Sequence, residues 1–181
     1  MNDRVAVLIE EEEIRKRVQE LGRRITRDYQ GSDLTLIAVL KGAFVFMSDL
    51  ARHIDLPLTV DFLGLSSYGD KTETSGVVRI TSDLTQPVKG RDVLIVEDIV
   101  DSGLTMDFLT KNMKTRLPRS IKVCTFLDKP ARRRVHIDVD YVGFTIEDKF
   151  VVGYGMDYRG LYRNLPFLGV LEQDAVGGEV K

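Results

Sequence analysis

The chain has 181 residues, 43% hydrophobic and 30% charged, and 26 Lys+Arg against 28 Asp+Glu leave a formal charge of −2. That balance supports a packed core in one domain spanning residues 1–181 and excludes a disordered chain. The longest uninterrupted apolar stretches, such as residues 36–40 and 43–47, are five residues and fall short of the ~18 residues a membrane span needs, and near-neutrality removes the long-range pull on nucleic acid that a basic domain exerts.

The first apolar run, Val5–Ile9, is too short and too soon followed by Glu10 to Glu13 for a secretory signal, which predicts a cytoplasmic protein. Ile14, Val18, Leu21 and Ile25 then recur at helical spacing, with acids at the start and Arg23, Arg24 and Arg27 near the end, an arrangement that suits the helix dipole. Leu34–Leu40 reads as a strand buried on both faces of a parallel sheet, and 43–54 as a helix. Residues 58–65 make the next strand, and the polar stretch 66–76 a long mobile loop.

Strands are expected at 77–81, 92–96, 121–127 and 140–144, with a turn at 87–90 and a helix over 105–116. Short apolar pieces follow at 150–154 and 165–171, and the tail after Leu171 reads as frayed. Cys124, the sole cysteine, lies inside an apolar stretch and reads as core; it excludes an intrachain disulfide and a cysteine-rich zinc site. His53 and His136 are isolated, without partners at metal-ligand spacing. All five prolines fall between the elements, and the alternation of strands and helices gives an α/β fold with a parallel sheet.

The densest chemistry is VLIVEDIVDSGLT at 93–105. A buried strand delivers Glu97 and Asp98, then Asp101, then a Ser-Gly-x-Thr turn opening a helix. Ligands of open α/β sheets bind beyond the carboxyl ends of the strands. Here the turn offers backbone N–H groups, the Ser102 and Thr105 hydroxyls and close approach at Gly103, which suits a phosphate; the acids suit ribose hydroxyls or magnesium. The turn by itself reads equally as a helix cap made by Asp101 and Ser102. Three acids within five residues favour a ligand, because burying them is costly unless something offsets their charge.

VEDIVDSGLT resembles the phosphoribosyl pyrophosphate signature of the type I phosphoribosyltransferases. LKGA at 40–43, SSYG at 66–69, LDK at 127–129 and DKFVVGYGMDYRGLYRNLP at 148–166 are similar, in order and spacing, to the hypoxanthine-guanine branch of that family. The resemblance implies a Rossmann-like parallel sheet flanked by helices, with a small hood formed by the N- and C-terminal segments. It implies transfer of a 5-phosphoribosyl group from phosphoribosyl pyrophosphate to hypoxanthine or guanine, giving IMP or GMP and pyrophosphate with Mg2+ as cofactor.

Roles follow by position. Glu97 and Asp98 would hold the ribose hydroxyls, directly or through magnesium, and Asp101, Ser102, Gly103, Leu104 and Thr105 the 5′-phosphate. Asp101 would also be the acid-base group at the imidazole ring of the purine. Lys41 and Gly42 match the pyrophosphate loop, with a non-proline cis peptide expected at Leu40-Lys41, and Arg163 would bind pyrophosphate. Lys129 would reach the 6-oxo group, Phe150 would stack on the base, the Val151 backbone would read its edge, and Asp157 would bind a second magnesium. Ser67 and Tyr68 would close as a lid that keeps water from the reacting centre.

The basic run Arg132, Arg133 and Arg134 reads first as a solvated turn, although similar proteins place a basic residue nearby at a subunit contact, with Arg133 the candidate here. The family also implies a homodimer or homotetramer. Gly64 and Ser66 stand where relatives carry basic residues, which leaves pyrophosphate contacts there in doubt. A nucleic-acid-binding regulator on the same fold would need a basic face that the net charge does not supply. Xanthine, differing at one ring position, stays open as a substrate.

Overall fold

The computed structural model describes residues 5–68 and 77–171. Its centre is a six-stranded sheet in the order β4-β3-β2-β5-β6-β7. The strands are β2 (Leu34–Leu40), β3 (Leu58–Tyr68), β4 (Val77–Ser82), β5 (Asp92–Val100), β6 (Ser120–Asp128) and β7 (Tyr141–Thr145). All neighbours pair in parallel except β3 and β4, which form an antiparallel hairpin at the edge. β2 and β5 are adjacent although β3 and β4 separate them in sequence, so the winding reverses between them. Crevices at such reversals are where ligands bind in open α/β sheets.

Helix α1 (Glu11–Asp28) forms where the sequence periodicity places it, burying Ile14, Val18, Leu21 and Ile25. Glu10 and Glu13 close a reciprocal capping box at its start, which explains the run of acids without a metal. With α2 (Phe44–Arg52) it covers one face of the sheet in a core that includes Leu36, Ala38, Leu94, Val96 and Phe126. Helix α3 (Leu104–Lys114) covers the other face over Ile37, Val39, Val93, Ile95 and Val123. Burial on both faces is why β2 and the first half of β5 read as continuous apolar runs. Cys124 is fully buried, and burial pushes its thiol far above the usual range, as a core residue requires.

A second, antiparallel sheet joins β1 (Val5–Ile9), β9 (Leu168–Leu171) and β8 (Val151–Val152) in the order β1-β9-β8. This is the expected hood of N- and C-terminal segments. Several boundaries differ from the sequence reading, most by a residue or two. β5 runs on from Val96 to Val100, because Ile99 and Val100 still pair with Leu127 and Asp128. β3 extends through Ser66, Ser67 and Tyr68, which pair with Arg79, Val78 and Val77, so these three belong to the hairpin rather than to the loop. α2 stops at Arg52 instead of reaching Ile54. The rest of the expected loop, 69–76, and the tail after Leu171 lie outside the described residues, as do the side chains of Ser67 and Tyr68.

Candidate active site

The parallel strands bring the sequence-predicted groups to one edge of the sheet. β2 leads directly into Lys41 and Gly42, β5 carries Glu97 and Asp98 near its end before the 101–105 turn, and β6 ends at Asp128, just before Lys129. The Leu40–Lys41 peptide is cis, as expected. Gly42 passes so close to β5 that a Cβ there would overlap the Asp98 carboxylate. Gly155, at φ +100°, packs in turn on the Gly42 carbonyl, so this loop is held between β5 and the C-terminal segment.

Glu97 is 6% exposed. Its Oε1 accepts the Asp98 N–H at 3.3 Å, and its Oε2 is buried with no partner. Burial, and then the neighbouring Asp98 charge, push its carboxyl well above the ordinary range. Asp98 is raised by burial too, although the Ile99 N–H at 2.9 Å and the charge of Arg163 favour its ionised form. A buried pair of acids with an orphan oxygen is stable only if a proton, a hydroxyl donor or a cation completes it. The pair fits a sugar diol, or a magnesium ion that takes its remaining ligands from a bound phosphate, as Mg2+ commonly does. Among the described residues no group of three or more His, Cys, Asp or Glu is arranged to hold a metal unaided.

The turn after β5 differs from a side-chain-capped helix start. The N-cap of α3 is Gly103, at φ +83°, and no side chain caps the helix. Asp101 Oδ1 accepts the Ser102 N–H, and Ser102 Oγ takes only a long bond, 3.4 Å, from the Leu104 N–H. Helix-start N–H groups therefore face the edge where Asp101 and the exposed Thr105 stand, an arrangement suited to an anion.

Lys129 is 6% exposed; its Nζ donates to the Lys149 carbonyl at 2.5 Å and lies 3.6 Å from Asp148. Arg132 shares Asp148, at 3.4 Å. The Lys149 contact brings Lys129 to the residue next to Phe150, which is 55% exposed and whose ring meets Tyr158 edge-on at 5.7 Å. A large apolar side chain left open beside a buried cation offers a flat polar ring both a face and a hydrogen bond. Val151 is buried in β8. Arg163 donates to the Gly155 carbonyl at 2.6 Å and pairs with Asp157 at 2.5 Å, and the other Asp157 oxygen accepts the Gly160 N–H at 2.7 Å.

The structure thus gathers Lys41, Gly42, Glu97, Asp98, Asp101 to Thr105, Lys129, Phe150, Val151, Asp157 and Arg163 around the carboxyl ends of β2, β5 and β6. Sequence reasoning missed Asp148, the Lys149 carbonyl and Gly155, whose contacts with Lys129 and Gly42 are distant in sequence, and Tyr158, which meets Phe150 eight residues away. Their one sequence signal was that all four lie within the 148–166 stretch carrying the resemblance.

A family model described as the phosphoribosyl transferase domain matches residues 8–159. The hypoxanthine-guanine phosphoribosyltransferase of Bacillus subtilis is 54% identical over 92% of this chain and 92% of its own. A crystal structure of a hypoxanthine phosphoribosyltransferase from Staphylococcus aureus superposes with a TM-score of 0.92 at 46% identity, covering 96% of this chain and 95% of that one. A Trypanosoma cruzi hypoxanthine phosphoribosyl transferase, whose structure addresses the role of its C-terminal region in oligomeric state and enzymatic activity, does so at 0.91 and 41% identity, with 96% and 95% covered. With these likenesses covering nearly the whole chain on a type I phosphoribosyltransferase fold, the chain belongs to the phosphoribosyltransferase family, in its hypoxanthine-guanine branch.

Proposed function

We propose that the protein moves the 5-phosphoribosyl group of phosphoribosyl pyrophosphate onto hypoxanthine or guanine, the purine salvage reaction, with the residues above in the following roles. The observation that carries the assignment is the buried, unpartnered Glu97 oxygen beside Asp98 at the reversal of the sheet. These two acids receive the ribose hydroxyls, and the 101–105 turn receives the 5′-phosphate. Lys129 turns one of its three N–H donors to the 6-oxo oxygen, a position where adenine offers a donor of its own and is refused. Phe150 stacks on the ring, and the Val151 backbone reads its edge.

In the transfer, the bond from the anomeric carbon to the pyrophosphate oxygen breaks and a purine ring nitrogen forms the new bond to that carbon. Asp101 takes the imidazole-ring proton, while Lys41, the Gly42 backbone and Arg163 hold the departing pyrophosphate. Glu97 and Asp98 would hold one Mg2+ and Asp157 a second, and the metal when bound adds positive charge against the pyrophosphate. Ser67 and Tyr68, at the end of β3, would close over the substrates and keep water from the electron-poor anomeric carbon.

The whole chain, 1–181, works as one phosphoribosyltransferase domain in the cytoplasm; among the described residues no helix is long and apolar enough to cross a membrane. It assembles as a homodimer or homotetramer. Phe44, Val60 and Phe62, exposed by 44, 43 and 42%, support that reading. The experiment is pyrophosphate release with phosphoribosyl pyrophosphate, Mg2+ and each of hypoxanthine, guanine, xanthine, adenine and uracil. Release is expected with the 6-oxopurines alone and only with the metal; turnover of adenine or uracil would refute the role of Lys129.

A further inference from the structure

The basic run at 132–134 divides in the fold. Arg132 and Arg134 are exposed, whereas the Arg133 side chain keeps 19% of its surface. Its Nη2 pairs with Asp128, itself 16% exposed, and its Nη1 is buried without a partner. Asp128 ends β6, faces Val100 across the ladder with β5 and immediately precedes Lys129. The arginine stem meets the phosphate turn: its Cδ lies 3.2 Å from the point where a Cβ on Gly103 would stand. Backbone bonds join the same two segments, since the Arg134 and Val135 N–H groups both donate to the Ser102 carbonyl, at 2.9 and 3.1 Å. The Val135 carbonyl lies 2.6 Å from that same Gly103 point.

We propose that Arg133 is a positioning residue that locks the 101–105 turn to the end of β6, keeping the turn in its anion-binding form and in register with Lys129. The inference rests on reading that turn as the 5′-phosphate site. Gly103 leaves a gap at the head of the turn, and the Arg133 stem fills it, as long charged side chains do when they pack their methylenes and direct their heads to a partner. The head is fixed by Asp128, and because the desolvation of an enclosed ion pair offsets much of its attraction, the role assigned to this one is to hold geometry. Lys129 N–H donates to the Val100 carbonyl at 2.9 Å, so the residue that would read the base and the strand that would hold the phosphate move together.

GMP and guanosine differ only by the phosphate, so the ratio of their affinities isolates the turn. Calorimetric titration of each is compared in the wild type, Arg133→Met, Arg133→Lys and the double variant Asp128→Asn/Arg133→Met. The double variant removes both enclosed charges together and so leaves no unpaired charge to disturb folding. Arg133→Met and the double variant are expected to lose about tenfold in GMP affinity, equivalent to about 1.4 kcal/mol, with guanosine within about twofold of wild type; Arg133→Lys should recover part of the loss. GMP affinity unchanged in both, or GMP and guanosine falling together, would overturn the proposal. A wild type that binds GMP no better than guanosine would instead overturn the reading of the turn itself, and the inference with it.

Discussion

At its N-terminal end β5 carries Asp92, and near its C-terminal end Glu97; both are buried, at 5 and 6% exposure, yet their surroundings are opposite. Asp92 is complete. Arg119 pairs with it, Ser120 donates at 2.7 Å, and the Arg119 guanidinium holds its carboxyl down to about 2. Among the described residues Glu97 makes no salt bridge and one of its oxygens has no partner, and burial with the Asp98 charge holds its carboxyl up. One strand therefore shows both treatments of a buried acid. Where the chain supplies the counter-charge the acid is satisfied within the fold, and where it withholds one the acid is left open to a ligand, as proposed for Glu97.

The comparison breaks most sharply at Asp101, on the ligand end. Asp101→Asn is expected to lower turnover by about 100- to 10,000-fold, the usual range for losing an acid-base group, with thermal unfolding little changed; normal steady-state rates would remove Asp101 from the chemistry. Phe150 comes next. Its ring is already exposed, so Phe150→Ala should leave stability nearly unchanged while raising KM for the purine by roughly 5- to 140-fold, the equivalent of the ~1–3 kcal/mol typical of base stacking. An equal rise in KM for phosphoribosyl pyrophosphate would place the ring elsewhere.

The structural end should answer in the other way. Asp92→Ala removes charge-assisted bonds and should cost about 2 kcal/mol, read as a fall of roughly 4–8 °C in melting temperature, with kcat and KM within about twofold of wild type once folded. The pH dependence sharpens the contrast. Because the folded-state carboxyl of Asp92 lies below its ordinary value of 3.8, its stabilisation is complete above that value and is lost as pH falls toward about 2. Glu97 has the opposite sign, since its folded carboxyl is raised. Its contribution is present below the ordinary value of 4.5 and lost as pH rises through the folded value. Acid titration of the melting temperature in Asp92→Ala and Glu97→Gln separates the two.

Much of this was legible in the sequence because the site is built on regular elements. The Val93 to Thr105 stretch places an apolar strand, three acids and a turn in one contiguous run, and the parallel sheet carries them to the ligand-binding edge as a matter of topology. The strand boundaries were harder to read. Glu97 and Asp98 interrupt the apolar pattern of β5 although its ladder continues to Val100, and Ser66 and Ser67 look like loop although hairpin pairing extends β3 through them. A ladder needs only backbone, so polar composition does not end it. The hood was legible only through resemblance: β8 is two residues long, and the pairs Lys129 with the Lys149 carbonyl and Phe150 with Tyr158 join positions that no periodicity connects. The contrast between Arg133 and its two exposed neighbours was hidden for the same reason, since what distinguishes it is Asp128 and Gly103 packed against it.

The central claim is that Glu97 is left incomplete for a ligand, and the melting temperature of Glu97→Gln beside wild type, each with and without phosphoribosyl pyrophosphate and Mg2+, tests it most directly. The amide removes a buried, unpartnered acid, so the ligand-free variant should melt at or above the wild-type temperature, and the rise that the ligand and metal give the wild type should be largely lost. A ligand-free variant that melts well below wild type, together with an undiminished rise on adding ligand and metal, would show that Glu97 holds the fold rather than the sugar.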